Sequence, residues 1–264
     1  MAVEVTILGS GTLIPSGTRR SAGHFVTFGS TRILMDCGSG TMHGMARWGA
    51  SWDEISHILI THFHTDHVGD LASLLYALSY GLSPRRIAPL AVIGPPGIHG
   101  LMSRLAEAFG EYVLDPGFPL EVVELARDAV WCDEPRGFSV STHPTRHTGS
   151  SVAYRVETDD GTVTYTGDTG PQMGLAKFCN GTELMISECA HPDPPDVETH
   201  LTPAGLAELA SEASPHLLVV THVYPDLNPE HIPELLAESG YGGLVQVAED
   251  GLAVRLSRGE AGLL

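Results

Sequence analysis

Four side chains that commonly bind metal ions lie close together in one short segment of the sequence. The segment spans residues 61–67 and reads Thr-His-Phe-His-Thr-Asp-His, so the four are His62, His64, Asp66 and His67. Imidazole and carboxylate groups are suitable ligands for Zn²⁺, Mn²⁺ or Fe²⁺. The spacing therefore predicts a metal site in this segment.

The elements on either side place this segment on a turn between a strand and a helix. Residues 58–60, Ile-Leu-Ile, form an apolar run that is typical of a short buried strand. The residues after the segment carry apolar side chains at helical spacing, namely Leu71, Leu74, Leu75 and Leu78. Because open α/β sheets place their binding sites at the carboxyl ends of strands, we expect the site at such an end.

Three more residues of ligand type follow other apolar runs, and a second metal ion would need ligands beyond the first turn. They are His147, Asp168 and His222. The strands that precede them are predicted at residues 138–141, 163–166 and 217–221. We therefore expect all three at strand ends, as for the first segment.

The order of predicted elements indicates one domain built from two similar halves. A β-rich stretch is followed by a βαβα stretch, and this order then repeats. The domain would span residues 1–264, with halves of roughly 1–135 and 136–264. Each half would contain a sheet with helices on its outer face, which is an α/β architecture.

Acidic residues greatly outnumber basic ones along the chain. The 264 residues include 14 Lys plus Arg and 32 Asp plus Glu, which gives a formal net charge of −18. Such a surface repels polyanions at long range, so extended nucleic-acid binding is disfavoured. A small anionic substrate is compatible with this charge because bound metal ions dominate the local field of their site.

The sequence has the features of a cytoplasmic protein that does not enter a membrane. The first residues lack the pattern of a secretory signal peptide, and no run of eighteen apolar residues occurs. The cysteines do not form a CxxC pair, and we expect reduced thiols at Cys37, Cys132, Cys179 and Cys189.

Several motifs, taken in their order along the chain, resemble the metallo-β-lactamase superfamily. Besides residues 61–67, they are Leu8-Gly9-Ser10-Gly11, Asp36-Cys37-Gly38, Gly94-Pro95-Pro96-Gly97, Gly167-Asp168-Thr169 and Thr221-His222. Within that superfamily the sequence is most similar to the branch of ribonuclease Z and related phosphodiesterases. The resemblance covers nearly the whole chain and implies a four-layer αββα sandwich.

The resemblance also implies a site for two divalent metal ions, Zn²⁺ or Mn²⁺. The ligands of the first ion would be His62, His64 and His147. The ligands of the second ion would be Asp66, His67 and His222, and Asp66 also counts among the catalytic residues. Asp168 would bridge the two ions, and a water or hydroxide between them would be the nucleophile.

Further site residues are implied by the same resemblance. In this branch a histidine at the position of His200 protonates the leaving oxygen, and Thr202 follows it here as the pattern requires. Glu188 is placed to orient His200 or a metal ligand. Arg146 and Arg20 are the candidate substrate contacts, because guanidinium groups bind phosphate well.

One departure from the family pattern bears on the substrate. Ribonuclease Z proper carries a long arm that grips tRNA, inserted between the segments that match His147 and Asp168. Only a tight hairpin around Asp159-Asp160-Gly161 is predicted there. Together with the negative charge, this favours a small or cyclic phosphodiester as the substrate.

Other functions remain open on the sequence. The protein could be a tRNA 3′-processing endonuclease, a hydrolase of carboxylic or sulfate esters, or a metal-binding protein without catalytic activity. A homodimer formed through an apolar patch near Trp48 and Trp52 is compatible with the sequence, although these side chains could equally belong to the core. Asp36 could cap a turn or support a metal ligand, and His143 could line the pocket.

Overall fold

The computed structural model describes residues 2–257 and 259–264, and its centre is a pair of β-sheets packed face to face. The first sheet has eight strands in the order β15-β14-β1-β2-β3-β4-β5-β6. Their bounds are β1 Val3–Gly9, β2 Gly23–Phe28, β3 Thr31–Met35, β4 His57–Leu59, β5 Leu90–Gly94, β6 Leu120–Glu124, β14 Ala253–Ser257 and β15 Glu260–Leu263.

The second sheet has seven strands in the order β13-β12-β11-β10-β9-β8-β7. Their bounds are β7 Val130–Asp133, β8 Phe138–Pro144, β9 Val152–Thr158, β10 Gly161–Tyr165, β11 Leu184–Glu188, β12 Leu217–Thr221 and β13 Val245–Val247. Both sheets are mixed: β3 to β6 are parallel neighbours, and so are β10 to β13. The remaining neighbours are antiparallel.

Within the described residues, seven α-helices connect the strands and cover the outer faces of the sheets. Their bounds are α1 Thr41–Trp48, α2 Thr65–Val68, α3 Leu71–Tyr80, α4 Ile98–Phe109, α5 Leu175–Cys179, α6 Pro203–Ala213 and α7 Ile232–Glu238. Short 3-10 turns occur at Trp52–Glu54, Glu111–Val113, Glu134–Arg136 and Pro229–His231. Pro229 and Pro233 lie in first-turn positions, where the missing amide hydrogen costs no helical hydrogen bond.

The alternation of side chains along the strands creates three apolar layers. In β3, Ile33 and Met35 point into the core between the sheets, whereas Leu34 points to the outer helices. The outer core of the first sheet includes the α3 leucines at positions 71, 74, 75 and 78. The outer core of the second sheet includes Leu206 and Ala210 of α6. The predicted αββα sandwich is therefore confirmed.

The two sheets are also joined by buried hydrogen bonds near the carboxyl end of β4. The Tyr154 hydroxyl donates to the carbonyl oxygen of Ile60 at 2.9 Å, and the Val152 amide donates to that of Thr61 at 3.1 Å. These bonds satisfy polar groups that would otherwise be buried without partners. They hold the turn after β4 against the second sheet.

The chain does not divide between the sheets at the middle of the sequence. The second sheet begins with β7 at Val130, and the last two strands, β14 and β15, return to the first sheet beside β1. Strands β7 and β15 and helix α5 are short elements that the sequence pattern did not predict. Among the described residues, no helix has the length and apolar character needed to cross a bilayer.

Candidate metal centre

The carboxyl ends of several strands converge at one edge of the sandwich, and the sequence-predicted ligands lie there. Residues 61–67 follow β4, His147 follows β8, Asp168 follows β10 and His222 follows β12. The structure brings all seven predicted metal ligands together in two groups. His62, His64, His147 and Asp168 form one group, and Asp66, His67 and His222 form the other, with their donor atoms within 4.8 Å of one another in each group.

In the first group, imidazole nitrogens face each other at separations suited to a shared cation. Nδ1 of His64 lies 3.1 Å from Nε2 of His62 and 3.0 Å from Nε2 of His147. Oδ2 of Asp168 lies 3.7 Å from Nε2 of His62 and 3.6 Å from Nε2 of His147. Ligand atoms about 2.1 Å from a tetrahedral ion are roughly 3.4 Å apart, so these separations fit one.

The second group has similar separations and shares the same aspartate. Nε2 of His222 lies 3.3 Å from Oδ2 of Asp66 and 3.5 Å from Oδ2 of Asp168. Nε2 of His67 lies 3.4 Å from Oδ1 of Asp168 and 3.8 Å from Oδ2 of Asp66. The Asp168 carboxylate therefore lies between the two groups and faces both.

Several donor atoms at this edge are buried without a hydrogen-bond partner. Nε2 of His67 and Oδ1 of Asp168 are both in this state. An unpaired buried polar atom is costly, and such pairs of atoms are explained by an ion that both would bind. The residues present therefore fit a pair of divalent metal ions.

The electrostatics of the site agree with this fit. Burial holds the pKa of His62 well below its usual value and lowers that of His147, which leaves neutral imidazoles able to bind a metal. For His67, burial is outweighed by the Asp168 and Asp36 carboxylates, which raise the pKa well above its usual value. These carboxylates favour a positive charge at His67, whether it is a proton or a metal ion.

A ring of supporting contacts orients the imidazoles. Nδ1 of His67 donates to Oδ2 of Asp36 at 2.7 Å, which leaves Nε2 facing Asp168. Asp36 also accepts hydrogen bonds from the Thr61 amide at 2.8 Å and from the Tyr165 hydroxyl at 2.9 Å. Such outer partners fix the tautomer and direction of a ligating histidine. The sequence left the role of Asp36 open, although its position directly after a strand matched that of the ligands.

Two contacts at this edge could not be found from the sequence. The Nδ1 atom of His147 lies 3.1 Å from the carbonyl oxygen of Thr199, which is a backbone group without a residue-type signal. Tyr165 reaches Asp36 from the second sheet, 129 residues away in the chain. Both contacts depend on how the loops and sheets pack.

The backbone is strained where residues of the site leave a strand abruptly. Asp36 and His222 have positive φ values of 56° and 55°, which are uncommon for residues other than glycine. Gly167 has a φ of 57°, and a Cβ atom there would lie 2.8 Å from Cβ of Thr61. Glycine is therefore required next to Asp168, because any side chain would push against the turn that carries His62.

His200 and Glu188 form a hydrogen-bonded pair beside the metal ligands. Nδ1 of His200 lies 3.0 Å from Oε1 of Glu188, and the same carboxylate accepts the amides of Thr169 and Leu201 at 2.6 and 3.1 Å. The ring of His200 stacks against that of His222 at a centroid distance of 5.8 Å. Burial alone would lower the pKa of His200, but the Glu188 hydrogen bond and nearby carboxylates raise it above its usual value.

The two arginines suggested as substrate contacts are engaged with other side chains. The Arg146 guanidinium pairs with Glu198, and the Arg20 guanidinium lies 2.9 Å from Oδ2 of Asp250. His143 binds Asp128 through Nδ1 at 2.7 Å and stacks on Phe178. Arg146 and Arg20 remain predictions, and His143 is not among the grouped donors.

Comparison with known proteins identifies the family to which this chain belongs. The sequence pattern of the beta-lactamase superfamily domain matches residues 31–223, which include all seven grouped ligands. The chain belongs to this superfamily. It is a hydrolase of the metallo-β-lactamase fold, and that fold implies divalent metal ions at the grouped donors.

Proteins of similar sequence or similar fold align with most of this chain. The chain is 30% identical over 248 residues to a protein named ribonuclease Z from Mycobacterium sp. strain KMS, covering 86% of each chain. Its fold is similar to that of the metallo-beta-lactamase fold protein YhfI from Bacillus subtilis, with a TM-score of 0.85 and 20% identity over 97% of this chain and 100% of the other. It is also similar to the short form of human tRNase Z, with a TM-score of 0.75 and 24% identity over 95% and 98% of the chains.

Proposed function

We propose that this protein is a dinuclear metal-dependent phosphodiesterase that acts on small or cyclic phosphodiesters. The observation that carries the proposal is the placement of Asp168 between two groups of metal-type ligands, with the His200–Glu188 pair alongside. Asp168, His200 and His222 have donor atoms within 4.8 Å of one another. A proton donor is therefore available where the ions would hold the phosphoryl group.

In this proposal the bound ions and the surrounding residues have separate roles. Zn²⁺ or Mn²⁺ ions bound by the two groups would supply Lewis acidity and a nucleophile at neutral pH. Asp168 and Asp66 hold negative charge at the site, and neighbouring imidazoles outweigh burial to keep their pKa values low. Glu188 fixes the ring of His200 through Nδ1, so that Nε2 is free to protonate the leaving oxygen.

The choice of a small substrate rests on the surface beside the site. Strands β9 and β10 are joined by a tight turn at Asp159 and Asp160, so no long arm extends between His147 and Asp168. The formal net charge of −18 adds a long-range repulsion of RNA. Both features favour a substrate that fits within the site itself.

A second candidate is the maturation of tRNA 3′ ends. It is favoured by the 30% identity, over 86% of each chain, to a protein named ribonuclease Z. Carboxylic and sulfate esters are further candidates, because the same ions and proton donor suit them. A single domain, a cytoplasmic location and a homodimer remain parts of this proposal.

The test compares substrates that differ in their need for leaving-group protonation. Protein stripped with a chelator and reloaded with Zn²⁺ or Mn²⁺ is given bis-p-nitrophenyl phosphate and adenosine 2′,3′-cyclic phosphate. Both should be cleaved by the loaded protein only. His200→Ala should lower cleavage of the cyclic phosphate by about 10²- to 10⁴-fold, because its leaving group is an alkoxide. Nitrophenolate leaves without a proton, so bis-p-nitrophenyl phosphate should be affected far less.

Matched controls identify the substrate class. His216→Ala alters an exposed histidine away from the site and should behave as the unaltered protein. Parallel assays use p-nitrophenyl acetate, p-nitrophenyl sulfate and a precursor tRNA. Preferred cleavage of one of these substrates would replace the proposal with the corresponding candidate. Failure to cleave either diester with two ions bound per chain would overturn it.

A further inference from the structure

A cavity of about 450 Å³ opens directly beside the candidate metal centre. Its walls are two loops, residues 11–19 and residues 223–229. Both loops start at the centre, because the His222 amide donates to the carbonyl oxygen of Ser10 at 3.1 Å. The volume lies within the range of sites that enclose a small organic ligand.

One wall of this cavity is the aromatic ring of Tyr224. Its centroid lies 5.6 Å from the ring of His222 and 5.9 Å from that of His200, so Tyr224 borders both the cavity and the catalytic groups. His191 stacks on one face of the ring at 4.5 Å with an interplanar angle of 29°. Nδ1 of His191 is in turn fixed by Asp226 at 3.0 Å.

This support gives Tyr224 a defined orientation before any ligand arrives. A ring held in place by a stacked neighbour loses little conformational entropy on binding. His191 covers one face of the ring, and Tyr224 also lines the cavity, so part of the side chain is accessible to a ligand there.

The cavity also contains a positive group, which is uncommon on this acidic chain. Arg19 lines it and is half-buried, and its Nη1 atom donates to Oγ of Ser10 at 2.9 Å. The residue is anchored at one edge of the guanidinium, and the group remains charged at all ordinary pH values. Among the residues that line this cavity, Arg19 is the one cation and Asp226 the one carboxylate, so the lining as a whole carries no net charge.

A second cavity on the other side of the centre has the opposite character. It has a volume of about 340 Å³ and is bordered by the loop at Gly170 and by Leu201, next to His200. Its lining residues include Glu208 and Glu212 and contain neither Lys nor Arg. Two carboxylates disfavour a phosphodiester, so the cavity at Tyr224 is the better entry for one.

We infer that the cavity at Tyr224 holds the nucleobase of a nucleotide diester and that Tyr224 is its main contact. The inference rests on the proposed phosphodiesterase function and narrows its substrates to nucleoside esters. Aromatic rings stack favourably on nucleobases regardless of base identity. The site should therefore favour substrates that carry a nucleobase and should not distinguish one base from another.

The test uses two diesters with an identical leaving group. Thymidine 5′-(p-nitrophenyl phosphate) carries a nucleobase, whereas methyl p-nitrophenyl phosphate does not. The metal-loaded protein should show a kcat/KM about 5- to 150-fold higher for the thymidine ester, which is the range expected for one stacked base. The preference should arise from a lower KM, since the bond that breaks is the same.

Variants of residues that line the cavity then show which side chain causes the preference for the thymidine ester. Tyr224→Leu should bring the ratio of the two kcat/KM values close to one, and Tyr224→Phe should retain it. Ile14→Trp, which places a bulky ring in the cavity from the opposite loop, should also lower the ratio. Tyr76→Leu removes an exposed tyrosine of α3 and serves as the control, for which the ratio should not change.

The outcomes distinguish a failure of this inference from a failure of the proposed function. Equal kcat/KM values for the two esters, or a ratio that Tyr224→Leu and Ile14→Trp leave unaltered, would overturn the nucleobase site while the phosphodiesterase function stands. If neither ester is cleaved, the proposed function fails. The cavity is then tested by titrating thymidine 5′-monophosphate calorimetrically, and the inference stands only if binding occurs and weakens at least about fivefold in Tyr224→Leu.

Discussion

Strand β4 has a buried histidine at its first residue and another shortly beyond its last, and the two histidines differ in every contact. His57 begins the strand and is 3% exposed, and His62, three residues after it ends, is fully buried. Nδ1 of His57 is 2.9 Å from Oγ of Ser56, and its Nε2 is 3.3 Å from Oδ2 of Asp133. Its ring also packs edge to face against Trp131 and Phe138.

Beyond the carboxyl end of β4, the ring of His62 faces other groups of metal-ligand type. Nε2 of His62 faces Nδ1 of His64 and Oδ2 of Asp168, and the unpaired Nε2 of His67 belongs to the same cluster. Burial is therefore no mark of function, because both histidines are buried. The distinguishing feature is whether the ring nitrogens have partners within the protein or converge on a point that an ion would occupy.

The largest expected effect comes from removing the carboxylate shared by the two groups. Asp168→Ala should lower kcat/KM for the diester by at least about 10³-fold, because a bound ion contributes several kcal/mol to the stabilisation of a transition state. His57→Phe, at the other end of the strand, should keep kcat/KM close to that of the unaltered protein. Steady-state kinetics and metal content measured by mass spectrometry check both variants. A fully active Asp168→Ala protein with two ions would contradict this assignment.

The stability gained from metal binding should also differ between variants at the two ends of β4. An ion at a thousand times its Kd adds about 4 kcal/mol to the free energy of unfolding. Chelation should therefore lower the Tm by roughly 8–16 °C for each ion removed from a chain of this size. His57→Phe should show the same decrease and Asp168→Ala a much smaller one. Calorimetry with and without chelator measures the difference. Equal decreases in both variants would place the ions elsewhere.

The smallest expected effect is an acid sensitivity that belongs to His57. Burial, only partly offset by Asp133, lowers its pKa to about 4, whereas an unfolded chain has a histidine pKa of about 6.5. The unfolded state therefore binds the proton first, and stability is lost as the pH falls from 6.5 toward 4. Between about pH 7 and pH 5 the loss should be about 2 kcal/mol.

Denaturant unfolding across this pH range measures the effect. Chelator is present throughout, so that release of ions does not contribute. His57→Phe should lose about 2 kcal/mol less stability than the unaltered protein over the same interval. Parallel curves for the two proteins would show that His57 has the same pKa in the folded and the unfolded chain, so that burial does not oppose its protonation.

Much of the architecture was predictable because its signals are local. The helices α1 and α4 have the bounds expected from their periodicity, and the displaced start of α7 at Ile232 follows from its prolines. Strand β7 and helix α5 were not predicted, because they have only four and five residues, too few to establish a period. Strand β15 is exposed along most of its length and lacks a clear alternating pattern. Such elements are stabilised by neighbours rather than by their own periodicity.

The sequence alone determined the types of the ligands and their attachment to strand ends. A metal ligand is recognisable by its side chain, and an apolar run before it indicates a strand, so both signals lie within a few residues. Local chemistry was sufficient for these two features because neither depends on distant partners. The αββα fold was implied by the resemblance of the motifs to the superfamily, and the structure agrees with it.

Only the tertiary structure decided which atoms face one another. It showed Asp36 holding His67, Thr199 holding His147 through its carbonyl oxygen, and Arg146 engaged with Glu198. It also formed the cavity between residues 11–19 and 223–229, which are more than two hundred positions apart in the chain. These features arise from the way in which the loops at the strand ends meet in the folded chain, and side-chain type carries no information about a partner chosen by packing.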